Sequence, residues 1–250
     1  MYDLIYANGD SYTAGAGLAQ ELYWDMEPLS GFDVTDQIRI ESDNRKMRCK
    51  DDWQNLERQR SYPSSLANLA NLDIINNSQS GAGLGQIAFT AIQDLTSLSK
   101  QHDRILAVIG LTSPKRIFFP RSPSNTLLWN HITNKSYLKT WGAVLQKYAD
   151  TFTTSQLELY GIMHLVSLIQ ICDWLHNVDM VLIETPAYKV KDADPNNQYK
   201  VLKDNIGPRI IDTLVPNYDK KQKIHLTCNH VIKQYHDDLA TRIYKRLWKN

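Results

Sequence analysis

The segment "IYANGDSYTAGAG", residues 5–17, decides how the rest of the chain is read. The apolar run at 2–7 breaks at Asn8-Gly9-Asp10, presents Ser11, and continues into the small residues Ala14, Gly15, Ala16 and Gly17. Short, apolar and closed by a Gly-containing turn, 2–7 predicts a buried strand, with a helix start after it. That order sets one hydroxyl on the crevice edge of a sheet, with backbone N–H groups around it. Acyl transfer needs a nucleophile beside an oxyanion pocket in this way. Gly, Asp and Ser also make ordinary turns, so the tripeptide alone leaves both readings open.

Strand and helix patterns alternate beyond this point. "YPSSLANLANL" (62–72) has Leu66, Leu69 and Leu72 at helical spacing, with Pro63 in the first turn, where a missing N–H costs little. "DIINN" (73–77) predicts a second short strand, and "SGAGLGQIAFTAIQDLTSLSK" (80–100) a Gly-rich turn running into a helix. "RILAVIGL" (104–111) is apolar at both alternations, as in a parallel strand covered by helices on both faces. A helix is expected over 154–176, a strand at "VDMVLIETP" (178–186), a weaker last strand at "KIHLT" (223–227), and an amphipathic helix to the end of the chain. The fold class predicted is α/β: a three-layer α/β/α sandwich on a mostly parallel, flavodoxin-like sheet of about five strands. All of 1–250 reads as one domain, with a charge-rich insertion at 24–60 and a long surface connection at 187–222. Both stretches follow strands, so both are positioned to rim a site at the carboxyl edge of the sheet.

Composition excludes several classes. Formal charge is +1, with 28 basic and 27 acidic residues, which gives no footprint for nucleic acid or an anionic membrane. No apolar run approaches the roughly 20 residues of a membrane span, and the first residues lack the basic and apolar regions of a signal peptide. The three cysteines make no CxxC pair and no disulfide framework, and a cytoplasmic setting is expected. His225, Cys228 and His230 cluster without the second ligand pair that zinc draws at its usual spacing, so no metal is assigned. "GAGLGQ" lacks the Lys-Ser/Thr of a phosphate loop, and Gly81, Gly83 and Gly85 do not make a dinucleotide fingerprint, so no cofactor is expected.

Four segments in order resemble the SGNH/GDSL hydrolase superfamily. "GDSYTAGAG" resembles its first block, and 61–88 its second, with a Gly-rich turn after a short strand. "AVIGLTSPKRIFF" (107–119) resembles the third block in the Gly-x-Thr-x-x-x-Arg variant of tailed-phage and related proteins. "NHVIKQYHDDLA" (229–240) resembles the last block. The resemblance implies Ser11 as nucleophile and His230 as base. It implies an oxyanion hole made by Ser11, Gly81 (with Gly83 second) and Thr112, with Asp10, Arg116 and Asn229 in support. The implied activity is that of an esterase or deacylase acting on a small ester or acylated sugar. Localisation would be cytoplasmic, or in a virion or host cytoplasm for a phage protein.

Two departures define the alternative. Thr112 stands where the family has an asparagine, and Thr227 and Cys228 occupy positions where it has an aspartate. Losing one oxyanion donor costs about 10²–10³ in turnover, and damaging the acid of a serine triad about 10⁴. Glu184, at a strand end, is another carboxylate to weigh for orienting the ring, and His230 with Asn229 also reads as a helix start with its N-cap. His236 reads as a packing residue on a helix face, Asp10 as a buttress of the turn, and Arg116 as an anion contact or a surface arginine. The competing class is a weakened or inactive protein of the same fold that binds a carbohydrate or a protein partner.

Overall fold

A computed structural model describes residues 1–16, 18, 51–113, 117–120, 127–130, 154–185, 206, 209–214 and 233–249. The chain builds β1 (Leu4–Asn8), α1 (Ser11–Ala14), α2 (Asp51–Arg60), α3 (Tyr62–Ala70), β2 (Asp73–Asn76) and α4 (Leu84–Leu98). These are followed by β3 (Ile105–Leu111), β4 (Ile117–Pro120), β5 (Leu127–Asn130), α5 (Thr154–Trp174), β6 (Val178–Glu184), β7 (Ile210–Thr213) and α6 (Lys233–Trp248).

Five strands form one sheet in the order β2-β1-β3-β6-β7, and every pairing in it is parallel. The chain starts near one edge, steps out to β2, then crosses to the other side of β1. This is the doubly wound arrangement, whose switch point lies between β1 and β3. The strands there are apolar throughout because both faces are covered. Leu4, Tyr6, Ile105, Ala107, Ile109, Met180 and Leu182 face α4 and α5, packing on Ile87, Ala91, Leu95, Leu165 and Leu168. Ile5, Leu106, Val108, Val181 and Ile183 face α3 and α6, packing on Tyr62, Leu66, Leu239, Ala240 and Ile243. Burial of side chains of this size stabilises by about 1.5–3 kcal/mol each.

Helix ends follow their local chemistry. Pro63 sits in the first turn of α3, and Asn71 ends that helix in the left-handed conformation at φ 52°. The polar stretches differ from their sequence reading. The fifth strand is Ile210–Thr213, inside the stretch read as a surface connection, whereas 223–227 lies outside the described residues. Ten residues of the charged insertion, Asp51–Arg60, form α2. A two-stranded antiparallel ribbon, β4-β5, follows β3. No helix among the described residues is long and apolar enough to cross a membrane.

Candidate active site

The site is built at the carboxyl ends of β1, β2 and β3. At the end of β1, Asn8 is buried and fully engaged. Its Oδ1 accepts from the Gly9 N–H at 2.8 Å, while its Nδ2 donates to Tyr6 Oη at 2.9 Å and Thr90 Oγ1 at 2.8 Å. Tyr6 Oη donates onward to Asp94 Oδ2 at 2.7 Å, and Asn77 Nδ2 reaches the same oxygen at 2.8 Å. Burial, followed by the Asp94 carboxylate, pushes the Tyr6 hydroxyl above its ordinary range, so it stays protonated and donating. This network fixes the strand end against α4 before the chain turns.

Asp10 caps α1. Its backbone is extended (φ −88°, ψ −161°), and its Oδ1 accepts from the Tyr12 N–H at 3.0 Å. Ser11 is therefore the first residue of a four-residue helix and is 6% exposed. Its Oγ has no hydrogen-bond partner among the described residues. The second oxygen of Asp10 accepts from Thr112 Oγ1 at 2.8 Å, in a fully buried contact. Thr112 has a single hydroxyl proton, and in this arrangement that proton is directed to Asp10.

Close approach of three backbones makes the corner possible. The Thr13 side chain lies between β1 and β3, against Gly9 and Gly110. A Cβ built on those glycines would stand 2.2 Å and 1.8 Å from Thr13 Oγ1. Side chains at either position would push α1, and Ser11 with it, off the sheet edge.

The turn after β2 lies alongside. Asn77 N–H donates to the Ala7 carbonyl at 2.9 Å and Gln79 N–H to the Gly9 carbonyl at 3.0 Å, extending the β1–β2 pairing up to the turn before Ser11. Gly81 follows at φ +87°, and a Cβ there would meet no atom of the described residues within 4 Å. The positive φ favours glycine. α4 then begins after Gly83, which provides no side-chain cap.

Ser11, Gly81, Thr112 and Asp10 thus gather at one sheet edge. His230, Asn229 and Arg116 lie outside the described residues. Glu184 ends β6 in register with Leu111, the residue before Thr112, and its carbonyl accepts from the Leu214 N–H. His236 lies in the core: its Nδ1 accepts from the Tyr62 N–H at 3.1 Å, and the two rings stack at 6.0 Å.

Sequence reasoning missed Asn8 and Thr13. The signal for Thr13 was present as three small residues, Gly9, Ala14 and Gly110, around one β-branched side chain. It becomes readable only once β1 and β3 are known to be neighbours.

No family model matches the sequence, and no curated protein matches it. Solved structures do match. An acetyl xylan esterase from the rumen bacterium Butyrivibrio proteoclasticus is 12% identical with a TM-score of 0.51, over 98% of this chain and 63% of its own. The fold is that of the SGNH hydrolases. An active-site mutant of a family two carbohydrate esterase from Clostridium thermocellum is 12% identical with a TM-score of 0.50, over 98% of this chain and 64% of its own. A psychrotrophic esterase from Pseudoalteromonas sp. is 13% identical with a TM-score of 0.49, over 99% of this chain and 100% of its own.

Proposed function

We propose that the protein is a serine-dependent carboxylic ester hydrolase acting on a small ester or acylated sugar. The observation that carries this reading is the position of Ser11. It is the first residue of a capped helix at the switch point of a parallel sheet, its Oγ has no partner among the described residues, and the Gly81 backbone lies on the neighbouring turn. Ser11 Oγ attacks the ester carbonyl carbon while His230 takes the hydroxyl proton. The N–H groups of Ser11 and Gly81 hold the oxyanion. Collapse breaks the bond to the alcohol, which leaves with the proton from His230. Water then cleaves the acyl-serine by the same steps in reverse. Solved structures of similar fold are described as an acetyl xylan esterase and a carbohydrate esterase, which supports an acylated carbohydrate as substrate.

A second reading has its own observation. The Thr112 proton is engaged by Asp10, so the third oxyanion donor of the family is replaced by a group already in use. That favours a slow enzyme, or a binding protein on the same scaffold. Turnover of p-nitrophenyl acetate by wild type, Ser11→Ala and His230→Ala separates the two. The hydrolase reading expects wild-type turnover that both substitutions abolish; equal background rates in all three would leave only the binding reading.

A further inference from the structure

One face of α4 holds the loop that leaves β2. Gln86, Thr90 and Asp94 stand four residues apart in sequence, so they lie one above the other on the helix. Asp94 Oδ2 accepts from Asn77 Nδ2 at 2.8 Å, and Thr90 Oγ1 accepts from Asn8 Nδ2 at 2.8 Å. One turn nearer the helix start, Gln86 Nε2 donates to Gln79 Oε1 at 2.6 Å. Gln79 is also held twice through its backbone. Its N–H donates to the Gly9 carbonyl at 3.0 Å, and its carbonyl accepts from the Ala82 N–H at 3.1 Å.

That last bond closes a β-turn over 79–82, with Ser80 and Gly81 at its centre. Gly81 has φ +87° and Ser80 lies outside the positive-φ region, which is the type II form. In type II the Gly81 N–H lies on one face of the turn. Type I joins the same two ends with the central peptide turned over by roughly half a revolution, which puts that N–H on the other face. Glycine adopts either sign of φ with similar ease, so residue 81 does not choose between the two forms by itself. Its N–H has no partner among the described residues, so no bond made by that group holds its direction. The direction depends on the base of the turn, and the base is Gln79.

Gln86 makes this clamp against its own stability. It is 3% exposed, and its Oε1 has no hydrogen-bond partner among the described residues. A methionine has the same unbranched reach and buries no unpaired acceptor. Gln79 is exposed, so water can replace the donor that its Oε1 would lose. Stability alone therefore does not favour glutamine at 86. We propose that Gln86 is a positioning residue: through Gln79 it fixes the 79–82 turn, and with it the direction in which Gly81 presents its N–H. The consequence for turnover rests on the hydrolase reading, in which that N–H holds the oxyanion, whereas the effect on the turn does not. Gln86 stands in the first turn of a 15-residue helix packed in the core. A donor aimed from so rigid an anchor needs no reorganisation as charge develops on the substrate, which is the condition for preorganised stabilisation.

The test compares Gln86→Met, Gln79→Ala and the double variant with wild type, all in the full-length protein. In urea denaturation Gln86→Met should match or exceed the wild-type midpoint, because it removes a buried unpaired acceptor. By NMR relaxation the order parameter of the Gly81 amide should fall from about 0.85 toward about 0.6 or below in each variant. With p-nitrophenyl acetate, kcat should fall by about 10–10²-fold at unchanged KM, a smaller loss than removal of the donor itself. Gln86 and Gln79 act as one unit, so the double variant should be no worse than either single change. Should Gln86→Met fail to fold by circular dichroism, Gln79→Ala, which alters an exposed side chain and leaves α4 intact, carries the comparison. An unchanged Gly81 order parameter, an unchanged kcat in an active protein, or additive losses in the double variant would overturn the proposal. Wild-type protein without Ser11-dependent turnover removes the hydrolase reading, and the order parameter alone then decides for or against Gln86. Ser11-dependent turnover that the variants leave unaltered, with Gly81 as rigid as in wild type, does the reverse.

Discussion

Thr112 Oγ1 donates a 2.8 Å hydrogen bond to Asp10 Oδ2, joining the ends of β1 and β3 across 102 residues of sequence. The other Asp10 oxygen holds the Tyr12 N–H, so one carboxylate both caps α1 and ties it to the neighbouring strand. Asp10→Ala loses the cap and strands a buried hydroxyl. The expected cost is about 2–4 kcal/mol, from roughly 1 kcal/mol for the cap and 1–3 for the unsatisfied group. Thr112→Val, close in shape, takes one donor from the buried Asp10 Oδ2 and should cost about 1–3 kcal/mol, without the loss of the cap. Urea denaturation of the two variants measures both. Equal costs would mean that the cap, rather than the bridge, carries nothing.

A second prediction concerns the corner beneath Ser11. Gly110→Ala places a Cβ 1.8 Å from Thr13 Oγ1, and the resulting overpacking should destabilise by about 2–3 kcal/mol. Removing the obstacle should relieve it. The double variant Gly110→Ala/Thr13→Ala is expected to be more stable than the sum of its single changes, with a coupling of about 1 kcal/mol or more in a double-mutant cycle. Strict additivity would contradict the packing described.

Gly81 separates stability from activity. At φ +87° an alanine is strained, at a cost of about 1–3 kcal/mol, but it meets no atom of the described residues. If its N–H serves the oxyanion, Gly81→Ala should also lower kcat for p-nitrophenyl acetate by about 10²–10³ at temperatures where the protein remains folded. Loss of stability with unchanged kcat would remove Gly81 from the oxyanion hole.

The pH response at the opposite end of the sheet can be predicted from Tyr2. Burial first, then a hydrogen bond with Asp179, raises its pKa from 10.0 to about 12. The folded state therefore keeps a proton that the unfolded state releases. Tyr2 contributes its full stabilisation below about pH 10 and loses it as pH rises from about 10 to 12. Comparing urea midpoints of wild type and Tyr2→Phe at about pH 9 and about pH 11 isolates this group from the other tyrosines. The gap between them should narrow at the higher pH.

How much of this the sequence disclosed depends on burial. β1, β3 and β6 are covered on both faces, so Leu4–Asn8, Ile105–Leu111 and Val178–Glu184 stand out as uninterrupted apolar runs. β7 is four residues at the sheet edge, set among lysines, asparagines and prolines, and its Ile210-Ile211 pair is too short to register as a strand. α2 has only Trp53 and Leu56 as apolar residues among ten, so no periodicity marks it, and its polar residues look like ordinary surface charge. That Ser11, Gly81 and Thr112 each follow a strand was legible from the apolar runs before them, while the roles given to them rest on the resemblance. The Asp10–Thr112 bond was not, because it depends on which strands are neighbours. His230, Asn229 and Arg116 rest on the resemblance alone, since they lie outside the described residues.

The central claim is that Ser11 is an activated nucleophile, and a fluorophosphonate probe with peptide mapping by mass spectrometry tests it most directly. One stoichiometric adduct is expected, on the peptide carrying Ser11, absent in Ser11→Ala and strongly slowed in His230→Ala. An unlabelled wild-type protein, or an adduct on any other serine, would contradict it.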